Sequence, residues 1–223
     1  MIKRIVILGA GGHGRETAQL IKDINKTAPQ WELLGYIDDN ETIHGEIRNG
    51  FPVLGGTELL AGDEYKDMYV ICGFSHPQGK KKAVARAKQL QPTLRFATLI
   101  HPSAVYGDEN TIGEGTMICA GSIVTTHVAI GNHVIINYGC TVGHDCVIED
   151  YAAILPGTNL SGNVTIREGV QTGTGTAVIP GIEIGAYAIT GAGAVVTKPL
   201  PAGCTAVGVP ALPIKQRAPF CET

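Results

Sequence analysis

The sequence predicts an α/β domain followed by a parallel β-helix, and three observations carry that reading. From Ile5 to Asp39 an apolar run, a glycine-rich loop, a helical stretch and a second strand ending in acids follow one another. From Ile112 to Val196 a chiefly aliphatic residue recurs at every sixth position. Between these regions the composition shifts near Leu99, with 13 Lys/Arg against 11 Asp/Glu before it and 4 against 9 after it. The 223 residues leave room for two modest domains, placed at 1–98 and 99–223.

Ile5-Val6-Ile7-Leu8 reads as a buried parallel strand. Gly9-Ala10-Gly11-Gly12-His13-Gly14 follows, then a helix from Arg15 to about Asn25 and a strand from Leu33 to Ile37 that ends at Asp38-Asp39. Further strands are expected at 68–73 and 96–100, with a helix from about Gly79 to Leu90 between them. Strand, glycine turn, helix, strand and acid make the first βαβ unit of a Rossmann-like domain. Gly9, Gly11 and Gly14 satisfy GxGxxG, which suggests NAD. A domain of about 95 residues, however, suits one mononucleotide half better than a full dinucleotide site. Tight turning and helix packing without a ligand is the competing explanation for the glycines. His13 inside the loop points instead to a polar ligand contact.

Fifteen positions, read in steps of six from Ile112, hold thirteen aliphatic residues; the exceptions are Thr172 and Thr190. Four places after each comes a small or β-branched residue, from Thr116 to Ala194. Neither a helix nor an ordinary strand has this period, whereas short strands stacked coil upon coil do. Both positions should point inward. Cys140 and Cys146 fall on the inward small position, so packing explains them. The six cysteines, Cys221 among them, lack CxxC spacing and suit a reducing cytoplasmic setting. No signal-peptide layout follows Met1 and no apolar run is long enough for a membrane span. A net charge of -3 gives no reason to expect nucleic acid or an anionic membrane. Lys80-Lys81-Lys82 is expected to be the solvated face of a helix.

The repeat, with Ile112-Gly113, Ile130-Gly131, Val142-Gly143 and Ile184-Gly185 at its first two places, resembles the hexapeptide of left-handed β-helix acyltransferases. The whole chain extends the likeness. The glycine loop, Tyr36-Ile37-Asp38-Asp39, Pro52-Val53-Leu54-Gly55-Gly56, Ile100-His101-Pro102-Ser103-Ala104 and Gly208-Val209-Pro210-Ala211 resemble the NeuD/PglD family of sugar acyltransferases. That resemblance implies three hexapeptides per coil and homotrimers. It also implies a UDP-linked amino sugar, not NAD, at Gly11, Gly12, His13, Asp38, Asp39 and Gly73. Acetyl-CoA is then expected along the outside of the helix near Gly162, Thr174 and Ala192. A cofactor-contacting histidine of close relatives falls on Ala153 here, so that polar contact is missing.

His144 stands out among the seven histidines, because it lies two places after an inward aliphatic residue and directly before Asp145. Acyl transfer from a thioester needs a base near neutral pH, and a carboxylate beside an imidazole can fix its tautomer. Alone, such a pair is more often ordinary surface; the resemblance makes His144 the base and adds Asn137 to the site. His127 and His133, six apart, fall on adjacent faces, which disfavours a three-imidazole zinc site and suggests surface or interface residues. No metal is expected. The resulting expectation is N-acetylation of a UDP-linked amino sugar. O-acetylation of sialic acid or another sugar hydroxyl, and a non-catalytic sugar-nucleotide binding module, are the alternatives.

Overall fold

The computed structural model describes residues 2–216, so Cys221 lies outside the described residues. The chain divides into two compact units, Met1–Pro102 and Ser103–Thr223. In the first, strands β1 (Lys3–Leu8), β2 (Trp31–Ile37), β3 (Ile47–Arg48), β4 (Phe51–Gly55), β5 (Tyr69–Cys72) and β6 (Arg95–Phe96) form one sheet. Its order is β3-β4-β2-β1-β5-β6, parallel except for the β3–β4 pair. Central β1 buries Ile5, Val6, Ile7 and Leu8, as its unbroken apolar run requires. Helix α1 (Gly12–Thr27) turns Gly14, Thr17, Ala18, Ile21 and Ile24 inward at helical spacing. Helix α2 (Pro77–Leu90) begins with proline in its first turn and the His76 imidazole as N-cap, Nδ1 accepting from the Gly79 N–H at 3.1 Å. His101 is structural here, its Nε2 lying 3.6 Å from Asp23 Oδ2.

The second unit is a parallel β-helix. Two-residue strands pair with the strand 18 residues on: Met117↔Ile135 and Ile135↔Ala153 in one sheet, Ile123↔Thr141 and Thr141↔Asn159 in a second, Ala129↔Val147 and Val147↔Thr165 in a third. Each coil therefore has three sides and three corners. The inward positions are filled as the period requires, with Ile118, Val124, Ile136, Val142 and Ile154 wholly buried. Cys140 and Cys146 are buried thiols among them.

Thr172 and Thr190, which break the aliphatic pattern, are buried in pairs with the small-position threonines. Thr158 and Thr172 bond hydroxyl to hydroxyl at 2.9 Å, and Thr176 and Thr190 at 2.8 Å. Thr172 Oγ1 also accepts from the Leu155 N–H, and Thr190 Oγ1 from the Gly173 N–H. The threonines thus satisfy backbone donors inside the core. Thr172→Val should lower stability by about 1–3 kcal/mol, because it leaves the part-buried Leu155 N–H and the buried Thr158 hydroxyl without this partner. The urea midpoint should fall with an unchanged m-value; an unshifted midpoint would show that the hydroxyl contributes nothing.

Candidate active site

The loop after β1 separates its glycines into two kinds. A Cβ on Gly14 would stand 2.1 Å from the Gly9 carbonyl oxygen, and one on Gly73 would stand 2.7 Å from Gly14 Cα. These glycines let β1, β5 and the start of α1 pack backbone to backbone. Gly9 turns with φ of +94°, a conformation suited to glycine. Around Gly11 and Gly12, by contrast, nothing lies within 4 Å of an added Cβ. The helix begins at Gly12, not at Arg15, so His13 belongs to its first turn.

Beside this loop lies a cavity of about 740 Å³, within the usual range for a small-molecule site. Gly11, Gly12, His13, Asp38, Asp39 and Gly73 all line it. Asp38 is largely engaged: Oδ2 accepts from the Ala10 N–H at 2.8 Å and Oδ1 from the Asn40 N–H at 3.0 Å. Asp39 Oδ1 accepts from the Thr57 hydroxyl and N–H at 2.6 and 2.7 Å, leaving Oδ2 for a ligand. Those Thr57 bonds hold the Asp39 carboxyl below its ordinary range, and nearby Arg86 adds to the effect. Burial lowers the pKa of His13, whose Nδ1 lies 3.0 Å from Glu16 Oε2. Its buried Nε2 has no hydrogen-bond partner among the described residues.

The cavity also takes in Phe74, His76 and Arg86, which the sequence did not single out, and Lys82, expected only as part of a solvated helix face. The lysine run is not one solvated face. Lys80 is only 1% exposed, and burial brings its ammonium down to about 8 and pushes the neighbouring Cys72 thiol up to about 12. Lys82 is exposed and faces the cavity. An α-helix explains the difference, since consecutive residues point about 100° apart.

On the β-helix, His144 and Asp145 occupy the corner between the second and third sheets. Nδ1 of His144 donates to Asp145 Oδ2 at 2.7 Å, with the two side chains 60% and 52% exposed. Asp145 sits at φ +58°, a left-handed conformation that short polar side chains tolerate, and this turn aims its carboxylate back at the imidazole. One coil on is Gly162. A Cβ there would lie 2.5 Å from His144 Nε2 and 2.6 Å from Cε1. Glycine at 162 therefore makes room for the imidazole, which lies across it with Nε2 opposite the carboxylate-bound nitrogen.

The remaining expected residues sit elsewhere. Asn137, Thr174 and Ala192 belong to the corner between the first and second sheets, so one chain does not bring them to His144. Thr174 and Ala192 are exposed one above the other, whereas Asn137 is buried and its Oδ1 accepts from the Tyr138 N–H at 2.8 Å. Ala153 is wholly buried in its strand, which corrects its assignment as a cofactor contact: no surface of it is available to a ligand. His127 is exposed. His133 is not a surface residue. It is 2% exposed, stacked on Tyr151 one coil away with ring centroids 5.2 Å apart.

Residues 4–87 match the PglD N-terminal domain. The chain is 32% identical over 216 residues to GDP-perosamine N-acetyltransferase of Escherichia coli O157:H7, covering 94% of this chain and 96% of that protein. Among solved structures, it resembles the acetyltransferase domain of PglB from Neisseria gonorrhoeae in complex with acetyl coenzyme A. That likeness has a TM-score of 0.87 at 30% identity and covers 96% of this chain and 100% of the other. PerB from Caulobacter crescentus, in complex with CoA and GDP-perosamine, gives 0.83 at 30% identity over 96% and 99% of the two chains.

The buried lysine makes stability depend on pH in a defined direction. Between about 8, its folded value, and 10.5, its ordinary one, the unfolded chain holds the proton that the folded chain has lost. Its contribution to stability therefore rises with pH across that window and is a fixed cost below it. Relative to wild type, Lys80→Met should gain about 1–3 kcal/mol more at pH 7 than at pH 10. Paired urea denaturation at the two pH values measures this; a difference independent of pH would show that the ammonium is not buried in solution.

Proposed function

Because the chain belongs to the NeuD/PglD-like family of sugar acetyltransferases, we propose that it moves the acetyl group of acetyl-CoA to the amino group of a nucleotide-linked amino sugar, with His144 as base. The observation that carries this reading is the His144 geometry. Asp145 accepts from Nδ1–H, so Nε2 is left with its lone pair, over a glycine whose missing side chain makes room for the ring. In the reaction the sugar nitrogen attacks the thioester carbonyl carbon to give a tetrahedral intermediate. Nε2 takes a proton from that nitrogen, the C–S bond breaks, and the proton can pass to the departing thiolate. Asp145 holds the tautomer and stabilises the imidazolium.

The N-terminal cavity would hold the acceptor nucleotide, with His13 Nε2 and Asp39 Oδ2 offered to its polar groups. A UDP-sugar is the reading the loop resemblance supports. GDP is the second reading, favoured by full-length relatives named for, or bound to, GDP-perosamine. The same relatives favour an amine over a sugar hydroxyl, and the intact His144–Asp145 pair disfavours a binding module without chemistry. No metal enters the proposed reaction. The buried thiols suit a reducing, cytoplasmic setting.

Labelled acetyl-CoA with UDP- and GDP-linked amino sugars tests the reading. Transfer to one of them is expected, and His144→Ala should lower kcat by about 10²–10⁴ while acetyl-CoA still binds. Asp145→Asn should cost less. Near-wild-type turnover by His144→Ala at saturating substrates would sink the assignment.

We assign the chain to homotrimers whose grooves pair the His144 corner of one copy with the Asn137, Thr174 and Ala192 corner of the next. Exposed Val105, Ile123, Val147 and Ile179 on the outer coil surface support burial against neighbours. Closed cyclic symmetry would make all three grooves equivalent. Co-refolding His144→Ala with Ala192→Trp should then restore part of the activity through mixed grooves. Light scattering at monomer mass, or mixtures as inactive as either parent, would place the site within one chain.

A further inference from the structure

The N-terminal cavity has two walls of opposite charge. Asp38 and Asp39 stand at the end of β2, while Lys82 and Arg86 come from α2. The cations are four residues apart, so they project from the same helix face, where like charges repel. Both are exposed, and neither forms a salt bridge among the described residues. Arg86 reaches far enough across to favour ionised Asp39, yet Asp39 Oδ1 is held by Thr57, not by the guanidinium. Two unneutralised cations therefore line a cavity whose other wall is acidic.

We propose that Lys82 and Arg86 bind the diphosphate of the acceptor. The inference rests on the sugar-nucleotide reading of this cavity and adds which side chains take its charge. A nucleoside diphosphate sugar carries two negative charges, and the pair supplies two positive ones. Arg86 offers a planar donor fork matched to phosphate oxygens, while Lys82 offers a compact ammonium. The start of α1, with open space at Gly11 and Gly12, adds backbone N–H groups and the positive end of the helix dipole. Asp38 and Asp39 repel phosphate, so they fix the ligand's direction: diphosphate toward α2, hydroxyl-bearing groups toward β2.

Calorimetry of the full chain with UDP and with GDP, combined with steady-state kinetics on the acceptor, tests the pair. The Lys82→Met/Arg86→Met double variant should weaken the preferred nucleotide by about 10²-fold or more, as expected for losing two charge-assisted contacts. KM for the acceptor should rise in parallel, with kcat at saturation and KM for acetyl-CoA within about twofold of wild type. Raised salt should weaken binding to wild type more than to the variant. The charge-conserving Lys82→Arg/Arg86→Lys swap should recover most of the affinity. Both sites are exposed, so matching thermal melts are expected and serve as the folding control. Unchanged nucleotide affinity in the double variant overturns the proposal while leaving the sugar-nucleotide reading intact. Failure of wild type to bind either nucleotide overturns that reading, and the proposal with it.

Discussion

The 18-residue ladder of parallel hydrogen bonds governs the second unit, because it converts position in sequence into position in a column. As far as Val196 each strand residue stands directly above the one 18 places earlier, held by bonds such as Asp145 N–H to the Thr126 carbonyl and Asn163 N–H to the His144 carbonyl; the last turn shortens the step to 16, pairing Ile184 with Leu200 and Ile189 with Thr205. A side chain at a corner therefore has a fixed neighbour. His144 meets Gly162, His133 meets Gly115 and Tyr151, and Tyr187 meets Gly169 and bonds Glu168 through its hydroxyl at 2.5 Å. A large ring beside a glycine one coil away is the recurring solution where an imidazole or phenol must lie flat on the stack.

The ladder closes only if the chain turns sharply at each corner, and the fourth residue of every hexapeptide from Glu109 to Gly193 has positive φ. Eight of these fifteen residues are glycine, so the turn was visible in the sequence as a second six-residue period that the aliphatic repeat overshadowed. The non-glycine members bear roughly 1–2 kcal/mol each for that conformation. Asp145 is one of them. The strain has a chemical consequence there, since an extended residue would carry the carboxylate away from the imidazole.

Much of the fold was legible because it is periodic. The inward positions and the central β1 strand followed from spacing and apolarity alone. What was not legible depends on which way a residue points when its period is unknown. Lys80-Lys81-Lys82 looks uniform in sequence, yet a helix directs the first inward and the third toward the cavity. His133 and His127 occupy equivalent repeat positions and differ in burial, because the Gly115–His133–Tyr151 column covers one and not the other. Ala153 was carried over from a resemblance to a ligand-contacting histidine; as a methyl group in a buried strand it has lost both polarity and access. Phe51–Gly55 escaped notice as a strand because Pro52 interrupts it, although it pairs on both sides.

The GxGxxG pattern shows why a motif alone does not identify its ligand. Gly14 of the motif and Gly73 beyond it are required by backbone contacts that exist whether or not anything binds, and Gly9 by its turn, so two of the three motif glycines are explained without a ligand. Gly11 and Gly12 are the glycines with open space beside them, and only Gly11 belongs to the fingerprint. Ligand identity must then come from the charges around the opening. Asp38 spends its carboxylate on Ala10 and Asn40, holding the loop in place, which leaves Asp39 as the acid with an uncommitted oxygen. Reading both acids as equivalent ribose partners would assign a recognition role to a residue whose first duty is to shape the loop. The specificity of the cavity is better sought in Asp39, in the buried Nε2 of His13 and in the cations of α2.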